Sequence, residues 1–256
     1  MRKYGIAIFV LSLALLSLAA APAVAQVSVT MQHEDLSRTG QNLSETILTP
    51  ANVNVNQFGL LFRLVVDNEV YAQPLLLSGL SISGGTHNVV FVASTGASVY
   101  AFDADTGTQY WHTSLGTPAV NTDLPFSCGD INGDMGIIGS PVIDPTKGIL
   151  YVVATIENTD GTFHSMLHAL NVSTGADISG SPVEVTTTSF NALEQNQRAA
   201  LTLADGELLI PYGSHCDGGT YHGYLFAYNP TTLAQITVFN TSPTTSQQLS
   251  RSPNAS

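Results

Sequence analysis

"SVYAFDADTGTQYW", residues 98–111, decides the fold. It opens with strand-like alternation around Val99 and Ala101, turns through Asp105-Thr106-Gly107, and re-emerges in the aromatic pair Tyr110-Trp111. Alone it reads as one hairpin, with turn residues between β-forming flanks. The string returns as "MLHALNVSTGAD" (166–177) and, more decayed, as "YLFAYNPTTLAQ" (224–235). Ala101, Ala169 and Ala227 align, as do Asp103, Asn171 and Asn229, while Thr106-Gly107 becomes Thr174-Gly175 and then Thr232-Leu233. The aligned alanines lie 68 and then 58 residues apart. This is one copy of a repeat, of the size of a propeller blade with insertions.

Each copy follows a β-rich run, "NVVFVAS", "GILYVVAT" or "GELLIPYGS", and each of those follows another strand candidate, "VYAQPLLL", "IGSPVID" or "QRAALTL". A fourth strand closes each unit, in "YWHTSL", "SPVEVT" and "QITVFN". The expected fold is all-β: a partial β-propeller of about three four-stranded antiparallel blades, at 58–120, 133–187 and 190–243. No stretch after the first 25 residues shows sustained helical periodicity. Residues 26–57 read as a polar N-terminal arm and 244–256 as a disordered tail. Propellers typically close with about 4 to 8 blades. Three blades therefore point to a piece of a longer propeller or, alternatively, to closure by self-association.

Residues 1–25 carry Arg2 and Lys3, an apolar run from Tyr4 to Leu18 and the small-residue pattern Ala23-Val24-Ala25, which together read as a signal peptide cleaved before Gln26. The mature chain then holds five basic residues against 19 acidic ones, a formal charge of −14 with histidine neutral. That charge excludes a nucleic-acid partner. No later segment reads as a membrane helix, so the expected location is secreted or periplasmic.

The pattern formed by Ala101, Asp103, Thr106, Gly107 and Trp111 resembles the tryptophan-docking repeat of quinoprotein-type β-propellers, the PQQ-like repeat proteins. "RTGQNLSETILTPANVN", "VYAQPLL", "GSPVID" and "YHGYLFAYNPTTL" are similar to an exported bacterial group carrying such repeats. The resemblance spans most of residues 33–243 and implies that these five residues dock neighbouring blades, the Trp bridging two sheets packed face to face. It departs at Ser179 and Thr237, near which no aromatic residue matches Trp111.

"GSHCDGGTYHGY" (213–224) carries the densest chemistry. A two-residue turn at Gly218-Gly219 would place His215, Asp217 and His222 on one strand face, with Cys216 on the other. This reads foremost as a solvated polar hairpin, then as a ligand or partner contact, and least as a metal site. The long segment "TPAVNTDLPFSCGDINGDMG" emerges on the same end of the propeller. The candidate ligand or partner face is therefore Asp130, His164, His215, Asp217 and His222. Asp130, Asn132 and Asp134 have calcium-loop spacing, but Pro141 stands where that loop needs Glu. Cys128 and Cys216, exported and assigned to that face, are expected to form a disulfide.

No nucleophile motif or acid/base pair is evident. The expected function is an exported, non-catalytic binding or scaffold module whose loop face contacts a protein or carbohydrate, with no cofactor. The alternative is part of a PQQ-dependent alcohol or sugar dehydrogenase, with PQQ and calcium on the propeller axis. The chain lacks the adjacent Cys-Cys pair associated with that class. A degenerate remnant without activity is the third reading.

Overall fold

The computed structural model describes residues 27–243. The expected signal peptide, residues 1–25, and the expected disordered tail, residues 244–256, lie outside the described residues. Among the described residues fourteen strands run in chain order: β1 Leu75–Ile82, β2 Gly85–Ser94, β3 Ser98–Asp103, β4 Gln109–Ser114, β5 Thr117–Pro118, β6 Val142–Asp144, β7 Ile149–Glu157, β8 Phe163–Asn171, β9 Val183–Glu184, β10 Gln195–Asn196, β11 Thr202–Ala204, β12 Glu207–Ser214, β13 Tyr224–Tyr228 and β14 Gln235–Asn240. They form three antiparallel sheets, none closed on itself: β1-β2-β3-β4, then β5 and β6 with β7-β8-β9, then β10 and β11 with β12-β13-β14. The architecture is that of a partial β-propeller.

The repeat has a local physical cause. Asp103 Oδ1 accepts the amides of Asp105 and Thr106 at 2.9 and 2.7 Å, and Asn171 and Asn229 cap the same turns in the later blades. Short Asx side chains bond the backbone just ahead of them and so nucleate turns. Each turn then ends in a left-handed residue, Gly107 (φ 75°), Gly175 (φ 71°) or Leu233 (φ 55°), whose amide returns to the Asx carbonyl. That conformation favours glycine. The third blade adopts it with leucine, which explains the decayed Thr-Leu signature.

The first strand of each later blade is broken. β5 pairs with the far end of β7 and β6 with its near end; β10 and β11 divide β12 in the same way. In the first blade the carbonyl of Glu69 receives Thr95 N, just beyond β2. The strand candidate at 70–77 accordingly shifts, with β1 running on to Ile82. β9 retains only two residues of "SPVEVT". In the second blade the break admits residues 119–141, which carry the one-turn 3-10 helix Asn121–Asp123 and bury their own cluster of Ala119, Leu124, Ile131, Met135 and Ile138.

Blades pack face to face. Phe91, Val99, Ala101 and Trp111 of the first meet Leu150, Val152, Leu170 and Val172 of the second, and the second turns Tyr151, Val153, Leu167 and Ala169 towards Leu208, Ile210, Tyr212 and Phe226 of the third. The middle blade is therefore apolar on both faces, which removes simple alternation from β7 and β8. Gly136 lies between the first two blades, its amide on the Thr95 carbonyl and its carbonyl on the Thr155 amide. A Cβ there would meet Ala97 N at 2.5 Å.

The arm has a defined course. Val29 pairs with Leu76, the Thr30 carbonyl receives Ile143 N, and Arg38 bonds Thr202 Oγ1, so residues 29–38 cross the first strands of all three blades. Further on, Leu64 and Val66 cover Val92, Tyr100 and Phe102 on the free face of the first blade.

Candidate functional site

Residues 119–141 and 215–223 meet at one end of the blades and are joined by a disulfide between Cys128 and Cys216, whose Cα atoms are 5.6 Å apart across 88 residues of sequence. The pairing expected from the sequence is present. A second tie lies beside it. His215, 3% exposed, places Nδ1 at 3.2 Å from Asp130 Oδ2, and Asp130 Oδ1 accepts Ile131 N at 2.8 Å. Asn196 completes the cluster, its Nδ2 at 3.5 Å from Asp130 Oδ2 and 3.4 Å from His215 Nδ1. Burial opposes ionisation of Asp130, but the hydrogen bond and charge of His215 with the Ile131 amide outweigh it and hold the carboxyl below its ordinary value.

The expected hairpin at Gly218-Gly219 does not form. β12 ends at Ser214, β13 begins at Tyr224 opposite Tyr212, and residues 215–223 are a loop. Its turn lies earlier: Gly218 N donates to the His215 carbonyl across Cys216 and Asp217, both left-handed at φ 51° and 57°. Two central residues with positive φ are the signature of a type I′ turn. Gly218 and Gly219 instead form a glycine surface under Phe126, with Glu194 at its edge. Burial of Tyr221 at 4% exposure fixes this arrangement, since the two-residue hairpin would hold it on the same face as Cys216.

The five candidate face residues therefore divide. Asp130 and His215 come together. Asp217 is exposed in the turn, within 3.4 Å of Ser214 Oγ. His222 Nδ1 bonds the Ser242 carbonyl at 2.7 Å, and its backbone carbonyl receives the Gln195 amide when that amide is oriented to satisfy both its ends. His164, near the start of β8, is held by Glu184 Oε1 at 2.8 Å and Thr162 Oγ1 at 2.9 Å. The expected single face bearing His215, Asp217 and His222 is corrected to three separate environments, because the last β12–β13 pair is Tyr212–Tyr224, which leaves the eleven residues 213–223 out of that ladder. Asn196, Phe126 and Glu194 were not singled out from sequence; their signal is tertiary.

Of the five expected docking residues, Ala101 and Trp111 lie at the first blade boundary. The Trp111 indole N–H donates to the Val172 carbonyl at 2.9 Å, and its ring lies on Gly175, where a Cβ would come within 2.5 Å. Ala101 separates Phe91 from Trp111 across the sheet. Asp103 also accepts Tyr110 Oη at 2.6 Å and faces His87 Nδ1 at 3.0 Å, while Thr106 Oγ1 bonds Thr108 Oγ1 and Gly107 lies under Phe62. These residues build the blade and its joint.

Most of residues 121–128, among them Leu124, Pro125, Phe126 and the disulfide's Cys128, line an open depression of about 410 Å³. The two loops thus form one platform cross-linked from two blades, with an open depression beside it and its acid and imidazole turned towards each other.

No known family model matches the chain, and no curated protein does. Solved structures do. Quinohemoprotein alcohol dehydrogenase from Comamonas testosteroni is similar with a TM-score of 0.56 and 21% identity, over 84% of this chain and 27% of that one. Quinohemoprotein alcohol dehydrogenase ADHIIG from Pseudomonas putida HK5 matches at a TM-score of 0.47 and 21% identity, over 70% and 22% of the two chains. This chain thus spans about a quarter of the length of these two structures, and the first likeness shows that the shared property is the propeller fold.

Proposed function

We propose that the protein is a non-catalytic propeller module of the PQQ-like kind that binds a protein or carbohydrate partner through the platform formed by residues 119–141 and 215–223. The observation that carries this reading is the double tie of Cys128–Cys216 and Asp130–His215 between loops of different blades. Loops fixed before binding lose less entropy when a partner arrives. The same tie engages Asp130 and His215 with each other, in place of an acid/base pair directed at a substrate.

The alternative, a piece of a PQQ-dependent alcohol or sugar dehydrogenase, draws support from the fold likeness. The residues present do not fit PQQ with calcium. The first strands converge on one side, where β6 lies against β11, and this axial side is crossed by residues 29–38. Arg38, a cation on that side, is committed to the Gln32 carbonyl and Thr202 Oγ1. Asp130 and Asp134 diverge, one to His215 and the other to Asn68.

The test is saturable binding of the purified mature chain to glycan arrays and to isolated envelope proteins, compared with a variant in which residues 122–127 are replaced by a Gly/Ser linker. Binding lost in that variant, with no dye-linked dehydrogenase turnover after addition of PQQ and calcium, supports the reading. Turnover, or binding indifferent to the replacement, overturns it.

A further inference from the structure

We infer that, once the Cys128–Cys216 disulfide is reduced, the same residues form a four-ligand site for a zinc-like divalent cation, with Cys128, Cys216, Asp130 and His215 as its ligands. Oxidised, the cluster offers two strong donors, the Asp130 carboxylate and the His215 imidazole, because a disulfide sulfur carries no charge. The sulfur of Cys128, a carboxylate oxygen of Asp130 and a ring nitrogen of His215 already lie within 4.8 Å of one another. Cys216 Sγ, bonded to that of Cys128, supplies the fourth donor. Two thiolates, one imidazole and one carboxylate suit zinc among the common divalent ions, once the two sulfurs, freed from their bond, separate to share one ion.

The geometry is consistent with this. Asp130 Oδ2 and His215 Nδ1 are 3.2 Å apart. Two such donors at about 2.0–2.1 Å from one ion subtend close to the tetrahedral angle. The ligands come from two anchored segments: the Cys128 carbonyl accepts Asn121 Nδ2 at 3.0 Å, Asp130 is fixed through the Ile131 amide, and His215 begins the turn closed by Gly218 N. An independent observation points to a further group at this place. Asn196 is 5% exposed, its amide nitrogen rests against both Asp130 and His215, and its Oδ1 is buried without a partner. A buried acceptor left unpaired is costly. An ion-bound water or a ligand imidazole N–H offers the donor that Asn196 lacks.

The chemistry balances. A dithiol reductant breaks the Sγ–Sγ bond, supplies two electrons and two protons, and closes to its own disulfide. The cation then displaces the two thiol protons to solvent and keeps its oxidation state. Metal thereby replaces the covalent bond as the tie between the 119–141 excursion and the third blade.

The probe is cobalt(II), whose thiolate charge-transfer and tetrahedral d–d bands report its ligands. The mature chain is reduced anaerobically with a phosphine, which takes oxygen from water to become the phosphine oxide, and is then titrated. Expected are one cobalt per chain with thiolate bands, displacement by zinc, and no such bands before reduction. His215→Ala and Asp130→Asn should each weaken cobalt binding by at least ~10-fold, the loss that even an outer-sphere partner produces. Cys128→Ser with Cys216→Ser should abolish the bands. If reduction unfolds the chain, read by Trp111 emission, zinc should restore the native emission. The proposal is overturned by absence of stoichiometric uptake after reduction, by cobalt spectra and affinity that ignore the His215 and Asp130 substitutions, or by a reduced, unfolded chain that zinc does not refold.

Discussion

Tyr151 in the second blade donates its hydroxyl to the Pro230 carbonyl of the third at 2.6 Å. Pro230 follows Asn229 as Val172 follows Asn171, so this carbonyl is the repeat equivalent of the one that receives the Trp111 indole at the first boundary. The same acceptor is met by an indole from an outer strand in one case and by a phenol from β7 in the other. In the third blade Leu209 and Thr237 occupy the positions of Tyr151 and Trp111, and neither side chain reproduces these aromatic donors. The first blade receives Phe62 from the preceding segment on Gly107, as Gly175 receives Trp111.

Both joints should therefore carry much of the stability. Trp111→Ala should cost about 3–5 kcal/mol, as for other buried aromatic truncations. Trp111→Phe and Tyr151→Phe should each cost about 1–3 kcal/mol by leaving a buried carbonyl unpaired. Urea unfolding measures all three, and losses below ~0.5 kcal/mol, typical of surface substitutions, would remove the docking account.

Gly175 tests the ring contact separately from backbone strain. Gly206 also has positive φ (82°) but has nothing within 4 Å of where an added methyl would sit, whereas at Gly175 the methyl would meet Trp111. Gly206→Ala should cost about 1–2 kcal/mol from the left-handed conformation. Gly175→Ala should add about 1–3 kcal/mol of overpacking. Equal losses in thermal unfolding would show that the ring yields freely.

Stability should fall at both pH extremes. The Tyr110 hydrogen bond, outweighing desolvation together with the turn amides, holds Asp103 well below its ordinary value of 3.8. A depressed carboxyl stabilises the fold above its unfolded pKa, and this contribution is lost as pH falls through the folded value. Burial and the Asp103 hydrogen bond push Tyr110 up to about 12 from 10.0, and burial does the same for Tyr151. A raised tyrosine stabilises fully below its unfolded pKa and loses that contribution as pH rises from 10 through 12. Tyr110→Phe should shift the acid limb to higher pH in denaturant melts; an unchanged limb contradicts the assignment.

The disulfide closes a long loop, so Cys128→Ala with Cys216→Ala should cost on the order of 4–5 kcal/mol in the loop-entropy account. Alkylation and intact mass should find no free thiol in the mature oxidised protein. Two modified cysteines without reductant, or a double variant of undiminished stability, would contradict the cross-link.

The sequence by itself determined the blade. Asx capping, a left-handed turn end and β-rich runs act over a dozen neighbouring residues, so Ala101, Ala169 and Ala227 could be aligned without coordinates. The Cys128–Cys216 pairing was also legible, because the chain has two cysteines and both were assigned to the same loop face, which allows one bridge. Tertiary structure decided the joints and the site. Nothing near Tyr151 announces that it substitutes for a tryptophan, since its acceptor is 79 residues away on the next sheet. Nor could local pattern place His215 against Asp130, 85 residues distant, when two glycines offered a tight hairpin nearby. Local rules rank turns by conformational cost, and here burial of Tyr221 and packing of Phe126 over Gly218 outweigh that ranking; such contacts exist only once the blades have met.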